Sequence, residues 1–134
     1  MNDPLTIAKA WGLTAGTSLY TAVGGGSANR ISKWVPPSNF KNAAKACVMH
    51  IETMTAQADA NVQESVLIIK SYGGSMDPDD ALSLDRAVYD RFHDAHGDTS
   101  SSGGIQKSHL LTSTLTREPN GWPVVVSRYE FVTT

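Results

Sequence analysis

The stretch SYGGSMDPDDALSLDRAVYDRFHD at 71–94 constrains the fold most, because a glycine pair and an acidic cluster around a proline precede sixteen residues free of helix breakers. Asp77 is the predicted N-cap, Pro78 suits the first helical position, and Asp80 complements the positive end of the helix dipole. One apolar stripe follows at helical spacing: Ala81, Leu84, Val88, Phe92 and Ala95. We predict a packing helix, with Leu82 and Tyr89 widening its stripe towards more than one sheet or towards a neighbouring subunit.

The same glycine pair could instead belong to a phosphate-binding loop, which would make the chain an enzyme. Such a loop uses backbone donors and usually a lysine, as in GxxxxGK[ST], and GGSMDPDD at 73–80 has neither that spacing nor that lysine. The acidic side chains would also repel phosphate. We therefore interpret Gly73 and Gly74 as the sharp turn from strand to helix, where a positive φ costs glycine little.

The N-terminal third of the chain predicts one short helix followed by irregular structure. Helical spacing within residues 4–23 predicts a helix with a frayed continuation. The sequence GGGSAN at 24–29 predicts a flexible connection, and two prolines make ISKWVPPSNFKN at 31–42 an extended loop rather than core.

Four longer runs have strand character. ACVMHIETMT at 46–55 alternates with a period of two, and the polar link 56–61 joins it to VQESVLIIKSY at 62–72. The runs 105–117 and 122–132 flank EPNG, whose Asn120-Gly121 pair is a strong hairpin signal, whereas 96–104 predicts a mobile loop.

The order of these parts predicts an α+β fold. We expect a mainly antiparallel sheet of about four strands, with one long packing helix and a shorter N-terminal helix. The length of 134 residues suits a single domain spanning 1–134.

Composition excludes several functions. Eleven basic against thirteen acidic residues give a net charge of −2, without the basic footprint of a nucleic-acid-binding protein. The longest apolar runs, VLII at 66–69 and VVV at 124–126, are too short to span a membrane, and the N-terminus lacks a basic leader. The single cysteine, Cys47, cannot form an internal disulfide. We expect a soluble, unexported chain without a membrane partner.

No catalytic, cofactor or metal residue is assigned. His93 and His96 have a spacing that can bind metal, but the helix dipole already favours a histidine near a helix end. Cys47 and His50 would face opposite sides of a strand, and Cys47 lacks the setting of a nucleophile. The acids are interpreted as a solvated helix face: Asp77, Asp79, Asp80, Asp85, Asp90 and Asp94.

Aromatic side chains are the candidate interface residues: Trp34, Trp122, Tyr89 and Phe40. Trp34 lies among prolines and Trp122 lies beside the predicted hairpin turn, positions at which a large side chain can anchor a partner. The alternative, which the sequence leaves open, is that each tryptophan covers an edge of the chain's own core.

The order and pattern of these parts resemble the tail terminator proteins of long-tailed bacteriophages, also called tail completion or minor tail proteins. The resemblance covers most of the chain and is carried by RISKWVPP, by the strand ACVMHIETMT, by the SYGG turn, by the helix ALSLDRAVYDRFHD and by the final YEF.

This resemblance implies a virion protein without a cofactor and without enzymatic activity. It implies a homo-hexameric ring that caps the tail tube protein, stops tube polymerisation and contacts the head–tail connector or stopper protein. DNA would pass through the lumen without specific binding. The protein would lie at the head–tail junction of the virion and in the host cytoplasm during assembly, and segments 24–42 and 96–104 would supply contacts.

Three alternatives stay open at this point. The first is a head-completion protein of the phage neck, which would also form a small ring. The second is a small metal-dependent enzyme using His93 and His96, and the third is a cytoplasmic adaptor unrelated to viruses.

Overall fold

The computed structural model describes residues 2–35, 44–57, 62–99 and 103–134, which form four helices and a six-stranded sheet. The helices are α1 (Pro4–Gly12), α2 (Ser18–Ala22), α3 (Gly25–Ala28) and α4 (Pro78–Phe92). The strands are β1 (Ile31–Lys33), β2 (Ala46–Gln57), β3 (Val62–Tyr72), β4 (Gly97–Asp98), β5 (Gly104–Arg117) and β6 (Pro123–Thr133). Helices α1 and α4 pack on the sheet, and α2 packs against α4.

The sheet is mainly antiparallel, as predicted. Its strand order is β1-β2-β3-β6-β5-β4, and only the β1–β2 pair among the described strands is parallel. The four predicted strands correspond to β2, β3, β5 and β6. The expected number of about four is corrected to six, because β1 and β4 have three and two residues and are too short to show a period.

The N-terminal third is more ordered than predicted. The expected single frayed helix is two helices, because Thr17 caps a separate α2 by accepting from the backbone N of Tyr20. The expected connection 24–29 contains α3, and the expected loop 31–42 begins with β1, whose Ile31 is 1% exposed. Arg30 holds this region to β2, because its carbonyl accepts from the backbone N of Cys47 and its Nε donates to the carbonyl of Lys45 just before the strand.

Two predicted loops are shorter than expected. Strand β2 continues to Gln57, so the link predicted at 56–61 starts later, and residues 58–61 lie outside the described part of the chain. The predicted loop 96–104 contains β4 and the first residue of β5, while 100–102 lie outside the description. The two-residue strand β4 forms by pairing with the first two residues of β5.

The main core lies between the sheet and the helices. The predicted stripe of α4 is confirmed for Ala81, Leu84, Val88 and Phe92, which are fully buried. Ala95 lies beyond the helix, which ends at Phe92. The predicted alternation of β2 is confirmed, because Cys47 and Met49 belong to the main core and Val48 packs on the opposite face with Tyr72 and Val124.

The corner between β3 and α4 has two different glycines. Gly74 has φ +77°, as the turn prediction requires, whereas Gly73 is needed for space: a Cβ there would lie 2.5 Å from the backbone N of Ala81. Asp77 accepts from the backbone N of Asp79, and Pro78 occupies the first turn, so the predicted helix cap is confirmed.

The predicted hairpin between β5 and β6 is also confirmed. Its loop has three residues, because the backbone N of Glu118 donates to the carbonyl of Trp122, and Gly121 occupies the left-handed position at φ +89°. Within the described residues, no helix combines the length and apolar character that crossing a membrane demands.

Candidate functional site

Trp34 is the most exposed of the predicted interface residues that the structure describes. It follows β1 with φ +70°, its backbone N donates to the carbonyl of Met49 at 2.8 Å, and its residue surface is 60% exposed. Its ring centroid lies 6.0 Å from that of His50, whose pKa is lowered by burial and by the charge of Lys70. The backbone therefore holds an indole at the surface.

A groove of about 540 Å³ opens beside Trp34, between the start of α1 and the second half of β2. Its apolar lining includes Pro4, Leu5, Ile51 and Met54. Strand β1 pairs only with Cys47–Met49, so residues 51–57 of β2 have no partner on their outer side among the described strands. We call residues 51–57 the β2 edge.

The opposite side of the sheet has a second uncovered strand. Strand β4 pairs with β5 only at Gly104 and Ile105, and His93 Nδ1 accepts from the backbone N of Leu110 at 3.2 Å. Beyond that contact, no described strand pairs with the outer side of residues 112–117. We call residues 112–117 the β5 edge.

Exposed apolar side chains gather at these two edges. Of the seven large hydrophobic residues that are exposed among the described ones, three lie around the β2 edge and two at or beside the β5 edge: Trp34, Val35 and Met54, then Leu111 and Leu115. Sequence reasoning missed Met54, Leu111 and Leu115, although LLTSTLT at 110–116 is an uncharged strand-forming run. Clustered apolar exposure of this kind is typical of interaction surfaces.

The other predicted interface residues are less exposed or not described. Trp122 is partly buried beside the hairpin loop, where its backbone N donates to Asn120 Oδ1. Tyr89 is partly buried, stacks on His93 at 4.6 Å between ring centroids, and has the Arg86 guanidinium 5.4 Å from its own centroid. Phe40 lies outside the described residues. The interface roles of all four residues stay predictions.

A small polar cluster lies where α4 ends against β5. His93, Asp94 and His109 bring their ligand atoms within 4.8 Å of one another, whereas the predicted pair of His93 with His96 is not part of this cluster. The carboxylate of Asp94 lies 3.4 Å from His93 Nε2 and 3.6 Å from His109 Nδ1. Sequence spacing could not predict the pairing with His109, because strand β5 supplies it.

The hydrogen bonding of His93 makes it a poor metal ligand. Its Nδ1 accepts from the backbone N of Leu110, so a neutral imidazole carries its proton on Nε2, which faces Asp94. A metal at Nε2 would require that proton to move to Nδ1, where it would meet the N–H of Leu110. The cluster is therefore better suited to linking the end of α4 to β5 than to binding a metal.

Cys47 lies in the main core, as predicted. Burial, followed by the charge of Asp85, raises the pKa of the thiol to about 12. His50 lies on the other face of β2 and cannot act as its base. A fully buried, protonated thiol is not a nucleophile, so the structure supports the packing interpretation of Cys47.

The prediction of a purely solvated acidic helix face is wrong for Asp85. Its carboxylate accepts hydrogen bonds from Ser113 Oγ on β5 and from Ser127 Oγ on β6, so it faces the sheet. Asp77 caps α4, and Asp80 accepts from Ser75 Oγ. Asp85 therefore holds the helix to the sheet, whereas Asp77 and Asp80 fix its first turn.

The fold and the surface together define an α+β chain with two strand edges that no described strand covers and with clustered apolar exposure, features that are typical of proteins that assemble with others. The sequence matches no model of a known protein family, and it matches none of the curated proteins.

The fold does match a solved structure over its full length. The comparison, with a chain of the virion of a native gene transfer agent (GTA) particle, gives a TM-score of 0.68 at 17% sequence identity and covers 100% of both chains. The two chains therefore share a fold.

Proposed function

We propose that this chain is a structural subunit of a phage-like virion and that it acts there as the tail terminator. In this role it forms a ring that caps the tail tube, stops tube polymerisation and joins the tail to the head connector. The observation that carries the proposal is the fold shared over the full length of both chains with a chain of a gene transfer agent virion.

The surface of the chain supports an assembling role. A subunit of a closed ring needs two different contact surfaces, one for each neighbour. The β2 edge and the β5 edge lie at opposite sides of one sheet, and each has exposed apolar side chains. This arrangement suits a ring better than an isolated chain.

The charge of the chain suits a lumen that passes DNA. The formal net charge is −2, and a ring that neutralised many phosphates would hold DNA instead of letting it slide. The same proposal assigns no catalytic activity to the chain.

The thiol of Cys47 is buried, and Nδ1 of His93 already accepts a hydrogen bond from the backbone N of Leu110; both observations support a non-enzymatic role.

Labelling of particles tests the proposal. A peptide tag after Thr134 and a gold-labelled antibody should mark the head–tail junction in electron micrographs of purified particles, in six copies per particle. A tag on the major capsid protein serves as the control for labelling. Absence of the chain from the particles would overturn the virion role.

Particles assembled without the chain separate the terminator role from that of a head-completion protein. Loss of a terminator should leave tail tubes longer than normal, because nothing stops their polymerisation. Tubes of normal length that fail to join heads would contradict the terminator role and favour the neck protein.

A further inference from the structure

Neither edge contains lysine or proline, and no described strand covers the outer side of either. Natural edge strands are protected by lysine, proline, inward charges or β-bulges. The β2 edge reads IETMTAQ and the β5 edge reads TSTLTR, with no lysine and no proline in either. Glu52 in the β2 edge is engaged by Arg128 of its own chain at 2.6 Å. The bulge of β2 lies between Ile51 and Thr53 and that of β5 between Leu110 and Thr112, so residues 53–57 and 112–117 keep a regular register that another strand can pair with.

We propose that the β5 edge of one copy pairs with the β2 edge of a second copy, so that the sheet continues from subunit to subunit. The inference rests on the proposed function, which requires copies of this chain to join in a ring. Three antiparallel pairings separate β2 from β5, so the two strands run in opposite directions. Copies related by rotation therefore pair these edges as antiparallel strands.

The position of β1 sets the register of this pairing. Strand β1 occupies the outer side of β2 beside Cys47–Met49. It would collide with β5 of the neighbour if the two copies had no displacement along the strand direction. A displacement of about six residues along the strands removes the collision and sets residues 51–57 against 112–117. The bulge after Ile51 lets seven residues of β2 match six residues of β5.

This register brings complementary side chains together. It places Met54 opposite Leu115 and Thr55 opposite Thr114. The side chains of Met54 and Leu115 both lie on the helix face of the sheet. Met54 pairs with Ser65, which pairs with Phe131 of the main core. Leu115 pairs with Val125, which lies on the same face of β6 as Phe131. An even displacement keeps the helix faces of both copies on one side, so two exposed apolar side chains cover each other.

The charges of the two strands are complementary as well. Strand β5 contains Lys107 and Arg117 and no acid, whereas β2 contains Glu52 and no lysine or arginine. Asp3 adds a second carboxylate to the groove beside the β2 edge. Lys107 lies outside the β5 edge and already pairs with Glu130. Within the proposed register, Arg117 lies beside Glu52, so the charges at this end of the pairing attract each other.

The geometry of the register suits closure into a ring. A displacement of six residues is about 20 Å, and the four strands that repeat in each copy are about 19 Å wide. The strands would then lie at about 45° to the direction in which copies repeat, close to the tilt of about 35–45° that strands adopt in closed barrels. Repeating the contact curls the sheet around an axis.

Disulfide capture between two single-cysteine variants tests the pairing. Thr55→Cys protein mixed with Thr114→Cys protein under mild oxidation should form a mixed disulfide dimer roughly tenfold faster than either variant alone, because paired strands hold opposite residues at a spacing that disulfides tolerate. Cys47 is buried and does not compete. Thr21→Cys, on the exposed surface of α2, is the matched control for random collision.

The rates of disulfide formation support or overturn the edge pairing. Formation of the mixed dimer at the rate of the Thr21→Cys control would overturn it, and so would faster dimers of Thr55→Cys or Thr114→Cys alone. A second test needs no cysteine: Leu115→Lys should shift the protein to monomer in sedimentation, whereas Thr21→Lys, on the exposed surface of α2, should not. Assembly unaffected by Leu115→Lys would contradict the pairing.

The inference and the proposed function can fail separately. Mixed disulfides from a chain that is absent from particles would overturn the virion role and keep the edge pairing. Labelled head–tail junctions without mixed disulfides would keep the virion role and overturn the edge pairing.

Discussion

At the scale of single residues, four buried side-chain oxygens among the described residues have no hydrogen-bond partner, those of Ser71, Ser108, Tyr129 and Thr133, and the hydroxyl of Tyr129 is the one on the largest side chain. Tyr129 is fully buried on β6, and its hydroxyl has no hydrogen-bond partner among the described residues. Burial, followed by the charge of Asp85, raises its pKa, so the hydroxyl stays protonated. A buried hydroxyl without a partner loses its hydration without compensation.

Replacing this tyrosine should therefore stabilise the protein. We expect Tyr129→Phe to raise the free energy of unfolding by about 1 kcal/mol, because it removes the uncompensated hydroxyl and keeps the ring. Urea unfolding followed by circular dichroism measures it. Tyr72→Phe is the control: it removes a bond to Glu118 Oε1 and should destabilise. A less stable Tyr129→Phe protein would show that the hydroxyl has a partner.

Asp3 makes the stability of the first helix depend on pH. It caps α1 by accepting from the backbone N of Leu5, and it also accepts from Thr6 Oγ1. Burial acts to raise its pKa, but these hydrogen bonds and the charge of Lys33 together lower it. A lowered pKa means that the charged form stabilises the fold above the unfolded pKa and that this stability is lost as pH falls through the folded pKa.

Two substitutions separate the cap from the charge. Asp3→Ala should cost about 1 kcal/mol at neutral pH, because the helix loses its N-cap. Asp3→Asn keeps a capping oxygen, so it should cost less at neutral pH and reduce the loss of stability between neutral and acidic pH. Thermal unfolding at several pH values measures both effects. An unchanged pH profile in Asp3→Asn would show that the carboxylate charge contributes nothing.

At the scale of elements, the position of α4 depends on the space beside Gly73. A Cβ at this position would lie 2.5 Å from the backbone N of Ala81 and 2.5 Å from the carbonyl carbon of Asp80, and backbone atoms cannot move aside as a flexible side chain can. The carboxylate of Asp85 and the ring of Trp11, whose Nε1 donates to the carbonyl of Arg91, hold the rest of the helix in place.

Gly73→Ala should therefore destabilise the protein by about 2–3 kcal/mol, in the upper part of the range for overpacked sites, because it pushes α4 from the sheet. Gly16→Ala is the matched control, since a Cβ there meets nothing within 4 Å. Its positive φ should cost about 1 kcal/mol from backbone strain alone. Equal losses in the two variants, measured by urea unfolding, would contradict the close-packing argument.

At the scale of the whole molecule, assembly depends on which strand segments stay uncovered. Six strands form one sheet, but β1 and β4 cover only short parts of β2 and β5. Because they are short, no described strand covers the β2 edge or the β5 edge, which lie at opposite sides of the sheet. The proposed ring and the proposed edge pairing both follow from this distribution.

The sequence by itself determined the parts whose signals are local. Helix α4 with its cap at Asp77, the four long strands and the hairpin at Asn120-Gly121 were predictable because capping residues, strand periodicity and turn residues act within a few positions. The core position of Cys47 followed from the same alternation.

Only the tertiary structure decided the rest, because it depends on contacts between distant residues. The short strands β1 and β4 exist through pairing with β2 and β5 and carry no period of their own. His109 reaches His93 across sixteen positions of the chain, a distance no local motif spans. The uncovered edges depend on where a neighbouring strand ends, and long-range strand pairing sets that limit.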